Sequence, residues 1–163
     1  MTLPDLMPLT DFEGDVELYL DGLYEFYEIN IVRAGLTFDG NPISCRRHPE
    51  TDGKGFRFWH IISTGTAEEE RIPDLRRCET ITLIPYILNN VNNDPNISYW
   101  ENIRGTETNI LIFLDGEDYL VILGKRRNYN LLKSAYPIIQ PNRKRRLLEE
   151  RDKFLAQTTR AAP

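Results

Sequence analysis

The sequence predicts an α+β fold: N-terminal helices packed on a small antiparallel sheet, a meander of about four strands, then a C-terminal helix. Three observations carry that expectation. Between Asp15 and Ala34 the apolar residues Leu20, Leu23, Tyr24, Tyr27 and Ile31 recur at helical spacing. Two strand-like runs, Asn109 to Leu114 and Tyr119 to Leu123, flank an Asp-Gly turn. Beyond Pro141 a basic stretch to about Gln157 carries Leu147, Leu148, Phe154 and Leu155 as apolar contacts of a closing helix.

The elements follow in chain order. Residues 1–13, with Pro4 and Pro8, read as a loose lead-in. Gly22 weakens the first helix, and Asp21 is placed to cap a second one. Asp39-Gly40-Asn41-Pro42 is a β-turn between short apolar runs. After a polar loop, Phe56 to Ser63 reads as a strand rich in aromatic and β-branched residues. Pro73 opens a short helix through Arg77, Pro85 precedes another ending at Asn90, and residues 89–96 form an Asn-rich turn region. The return strand Tyr119 to Leu123, a basic turn and a third strand ending at Ile139 complete the meander. No repeat and no linker divides the chain, so residues 1–163 form one domain, with 141–163 its basic C-terminal helix and tail.

With 163 residues and 40% hydrophobic content the chain can bury a core of ordinary size. No apolar run reaches the ~18 residues that span a bilayer, and the acidic N-terminus does not read as a signal peptide. A cytoplasmic protein without membrane association is expected, with Cys45 and Cys78 as reduced thiols. The net charge of −5 hides an asymmetry. Residues 1–30 hold eight acids and no Lys or Arg, whereas 125–163 hold eleven cations against three acids. A local basic surface attracts a polyanion more than the global sum repels it.

Few side chains suit chemistry. His60 carries an imidazole, a group that ordinarily titrates near neutrality and can serve as general acid or base. Arg76 and Arg77, beside Glu79, can clamp a phosphoryl group, and Arg57 lies three residues before His60. Ser134 and Tyr136 share one strand face near an end marked by Pro137, and Lys125, Arg126 and Arg127 occupy the turn that precedes them. Cys45, His48, His60 and Cys78 supply a zinc-ligand inventory without the short spacing such sites use. Neither a phosphate-cradling glycine loop nor a serine-hydrolase elbow is present, so no cofactor or metal is expected.

The stretches LTFDGNPI, FRFWHIIS, RIPDLRRCETI, ISYWENI and YLVILGKRRNYNLLKSAYPI resemble small phage and bacterial nuclease-like domains. These belong to the barnase, EndoU, colicin E5/D and RelE-like ribonuclease superfamily (the BECR fold). The resemblance runs from about Tyr24 to Phe154. It implies a toxin-type, metal-independent endoribonuclease, in a toxin–antitoxin or phage-defence setting, with a cognate antitoxin or immunity protein. The ribose 2′-hydroxyl of tRNA or mRNA would attack the adjacent phosphate. His60, Arg77, Ser134 and Tyr136 would be catalytic, and Arg57, Arg76, Lys125, Arg126 and Arg127 would bind substrate. Ser134 stands for the usual threonine, and Thr80 where a second arginine is expected. That substitution favours the alternative, a non-catalytic RNA- or protein-binding module on the same fold.

Overall fold

A computed structural model describes residues 2–65 and 70–161. Helix α1, Val16–Tyr27, starts at Asp15, whose Oδ1 accepts from the Leu18 amide at 3.1 Å. It runs on into a wider π turn, Glu28–Val32. Its buried residues, Tyr19, Leu23, Tyr27 and Ile31, repeat every four positions. That repeat drifts off a 3.6-residue helix, and the wide turn winds Ile31 back toward the core. Asp21 caps nothing; it pairs with Lys54 Nζ at 2.8 Å.

From Met7 to Glu13 the lead-in, expected to be loose, is tied down. Leu9–Phe12 form a 3₁₀ turn, the Met7 amide donates to the Glu79 carbonyl at 3.0 Å, and Tyr19 Oη donates to the Met7 carbonyl at 2.7 Å. The Phe12 ring lies against Gly22, where a Cβ would come within 2.3 Å of it. In an open helix Gly→Ala stabilises by about 1 kcal/mol. Here Gly22→Ala is expected to lose that gain to the Phe12 clash and to recover it in a Phe12→Ala background. A double-mutant cycle of urea midpoints measures the difference.

The sheet has six strands rather than four, and it is mixed. They are β1 Thr37–Phe38, β2 Asn41–Ser44, β5 Ile97–Arg104, β6 Glu107–Leu114, β7 Tyr119–Lys125 and β8 Asn130–Pro137, in the order β1-β2-β8-β7-β6-β5. Pairs β5–β6, β6–β7 and β7–β8 are antiparallel, as the meander requires. The parallel pairing of β2 with β8, at Ile43–Asn130 and Ser44–Leu131, adds the β1–β2 hairpin. A small ribbon, β3 Ser63–Thr64 with β4 Ile72–Pro73, lies apart.

Phe56 to Ile62 is a helix, α2, and not the expected strand. Its core residues Phe58, Ile61 and Ile62 fall at helical spacing, and Arg71 donates to the His60 and Ser63 carbonyls at the helix end. Helix α3, Leu75–Glu79, is capped by Asp74, and α4 is Leu83–Asn90, with Pro85 in its first turn where no amide is missed. Helix α5, Pro141–Ala161, outruns its expected end.

Two cores follow. One face of the sheet packs on α1 to α4 through residues such as Leu23, Phe58, Ile84, Ile112 and Leu132. On the other, α5 covers Trp100, Leu111, Phe113, Leu120 and Ile138 with Leu147. The helix is fixed at its middle by Glu150, which accepts from Trp100 Nε1 and Asn102 Nδ2, both at 2.9 Å.

Candidate nucleic-acid interface

Beyond Leu131 the outer edge of β8 is no longer paired with β2, and α2 lies against it. The Arg57 guanidinium donates to the Lys133 carbonyl there. Three residues on, His60 lines the same space on the α5 side of the sheet, together with Arg143 and Leu147. The space between α2, the sheet and the start of α5 is a cleft of about 420 Å³. Leu111, Ile122 and Leu147 form its apolar lining, and Asn102, Asn109 and Ser134 add polar groups. Four cations line it, Arg57, Arg104, Lys133 and Arg143; among the described residues no carboxylate is part of the lining, although Glu150 pairs with Arg104 at 3.3 Å.

A one-residue bulge shapes the floor. Ser134 pairs with Ile122 and Leu132 with Leu123, so Lys133 has no opposite number. Leu132 and Ala135 both enter the helical core, while Lys133 and Ser134 both face the cleft. The Lys133 ammonium is held by Glu107 Oε2 at 2.5 Å and Asn109 Oδ1 at 3.1 Å. Gly124 makes room for it, since a Cβ there would lie 2.9 Å from the Lys133 stem.

Arg77 and Tyr136 stand beside this cleft. The Arg77 guanidinium lies 4.8 Å over the Tyr136 ring and its Nη1 donates to the Ser63 carbonyl at 3.2 Å. Tyr136 Oη in turn accepts from Arg143 Nη2 at 2.7 Å. Arg76 is exposed, pairs with Glu79 at 3.0 Å and does not line the cleft. The basic turn, Lys125 to Arg127, lies away from the Tyr136 end of the sheet. Tyr136 pairs with Leu120 and Lys125 with Asn130, at opposite ends of one ladder. Lys125 pairs with Glu101 and Arg126 with Glu107, while Arg127 is exposed. The acids of these pairs belong to β5 and β6.

Thr80 is 1% exposed and donates to the Arg76 carbonyl at 2.6 Å. An arginine at 80 would have to leave that buried position to reach the cleft. Sequence reasoning missed Asn102, Arg104, Asn109, Lys133 and Arg143. One signal was available: two successive polar residues between Leu132 and Ala135 break the strand alternation. Of the zinc inventory, the Cys78 thiol faces the Ile62 carbonyl at 3.8 Å. Burial raises Cys45 to about 11 and Cys78 to about 12. Among the described residues no cluster of three or more His, Cys, Asp or Glu is placed to hold a metal.

Burial, and then the charges of Arg71, Arg57 and Arg77, lower His60 from 6.5 to about 4. Its Nδ1 is buried without a hydrogen-bond partner. The imidazole is therefore neutral at pH 7. Because the unfolded chain binds the proton more readily, His60 favours folding most above about pH 6.5, and stability falls as pH drops toward 4. Screening at this half-buried ring limits the effect to about 1–2 kcal/mol. His60→Ala is expected to flatten that part of the stability–pH curve, as read from urea melts across the window.

No family model, no curated protein and no solved structure matches the chain. Among the described residues no helix is long and apolar enough to cross a membrane.

Proposed function

We propose that the chain is a metal-independent endoribonuclease of toxin type, acting on tRNA or mRNA in the cytoplasm. One observation carries this reading: His60, Ser134 and four cations share a cleft that, among the described residues, no carboxylate lines. A phosphodiester is the substrate that such a site accommodates, since its charge is matched and its oxygens find donors. Neutral His60 accepts the 2′-hydroxyl proton as that oxygen bonds to phosphorus. The bond to the 5′ oxygen breaks, and the leaving oxygen takes a proton from water. Arg57, Lys133 and Arg143 stabilise the charge that builds on the phosphoryl oxygens, and Ser134 donates to one of them. Tyr136 and Arg77 position Arg143 in this scheme, and Arg104 extends the backbone track. The neutralising antitoxin or immunity protein would cover this same cleft.

Incubation of the purified chain with total tRNA or an mRNA in excess EDTA tests the reading. Fragments with 2′,3′-cyclic phosphate and 5′-hydroxyl ends are expected, and intact RNA would overturn it. A second reading, an RNA-binding module without cleavage, is favoured by two observations. His60 Nδ1 lacks the orienting partner that a catalytic imidazole commonly has, and Arg77 is engaged by Tyr136 and Ser63. Retention of RNA without new ends is its signature.

A further inference from the structure

Helix α2 separates the cleft from a second hollow, and the two are lined by different faces of the same seven residues. Arg57 and His60 turn to the cleft; Phe56 and Trp59 turn to a hollow of about 500 Å³ closed by Pro49, Asp52, Arg71 and Pro73. The hollow is preformed. Thr51 and Lys54 exchange backbone hydrogen bonds at 2.9 and 3.0 Å across a tight turn, and Trp59 Nε1 donates to the Thr51 carbonyl at 2.9 Å. That bond fixes the turn carrying Asp52 against the indole.

We propose that this hollow binds a nucleobase of the RNA strand whose phosphate occupies the cleft, an inference that rests on the function proposed above. Its walls suit the flat face of a base, because two aromatic rings and two prolines give apolar area with little entropy to lose. Continuity with the cleft selects this occupant. The Phe56 and His60 ring centroids are 6.1 Å apart, so a base beside Phe56 lies within one nucleotide of a phosphate beside His60. Charge selects it too. The exposed Arg46 guanidinium lies 4.3 Å from the Phe56 ring centre, placing a cation where a strand passing over the helix carries its phosphates. Asp52 at the rim can accept from an exocyclic amine or ring N–H, which favours bases with such donors.

The chain holds two tryptophans, and Trp100 is fully buried, so Trp59 reports on the hollow. The wild-type protein is titrated with a short 2′-O-methyl RNA, which lacks the nucleophile, with an abasic strand of the same length, and with a proline-rich peptide. Saturable quenching by the base-bearing strand and about tenfold weaker binding of the abasic one are expected. Phe56→Leu should narrow that difference. Equal binding of both strands without quenching would overturn the base site and leave the cleft reading intact. Binding of neither strand would overturn both. Quenching by the peptide alone would overturn the base site in favour of a protein ligand.

Discussion

His60→Ala is expected to slow RNA scission by about 10²–10⁴-fold, the span that a positioned acid or base contributes. RNA affinity should change little, because a neutral imidazole adds no charge to the cleft at pH 7. Folding should tolerate the exchange: the side chain is only half-buried, and its Nδ1 forms no hydrogen bond that alanine would leave broken. The pH profile gives an independent reading. A base that titrates near 4 in the free protein should sustain activity well below neutrality, with the acid limb rising once bound phosphate offsets the arginine charges. Scission rates and filter-binding affinities measured on the same preparation separate the two effects. Undiminished scission by His60→Ala would remove the imidazole from the reaction.

Trp100→Ala is expected to destabilise the protein by about 3–5 kcal/mol, the range for truncating a fully buried aromatic. The indole is 0% exposed and packs with Leu111, Phe113, Leu120 and Leu147 beneath α5. Truncation also removes one of the donors holding Glu150. Asn102 Nδ2 still donates to Glu150 at 2.9 Å, but the ion pairs of that helix, such as Lys144 to Asp118 at 3.0 Å and Arg151 to Asp115 at 3.8 Å, are partly exposed and of small worth. Trp100→Phe keeps most of the volume and should lose about 1–2 kcal/mol with the hydrogen bond. Urea denaturation compares the two. Because Arg143 reaches the cleft from α5, the alanine variant should also bind RNA more weakly under native conditions.

The long, strongly patterned elements were legible in the sequence: α1, the β6–β7–β8 meander and the amphipathic α5. Phe56 to Ile62 was not, because a short run of aromatic and β-branched residues satisfies strand propensity and helix spacing at once. Tertiary packing decided it, burying Phe58, Ile61 and Ile62 together. His60 was thus singled out with the wrong local geometry. On a strand it would share a face with Phe58 and Ile62; on the helix those enter the core and it turns outward with Arg57. The β2–β8 pairing joins residues far apart in sequence, which no local pattern encodes. Of the four cations that line the cleft, Arg57 was legible, whereas Arg104, Lys133 and Arg143 come from three further elements that no local pattern joins, and Thr80 is buried away from it.

The bulge in β8 has a consequence for chain length. Its neighbours fall into regular order once Lys133 is set aside, with Leu132 opposite Leu123, Ser134 opposite Ile122 and Ala135 opposite Val121. Leucine and alanine face the helices, and serine and tyrosine face α5, as in an uninterrupted strand. β8 is thus a regular strand with one supernumerary residue, and that residue carries the ammonium at the cleft floor. An insertion inside a strand ordinarily inverts every side chain beyond it. Here the bulge absorbs the insertion, so the cation and the strand's alternation are independent of each other.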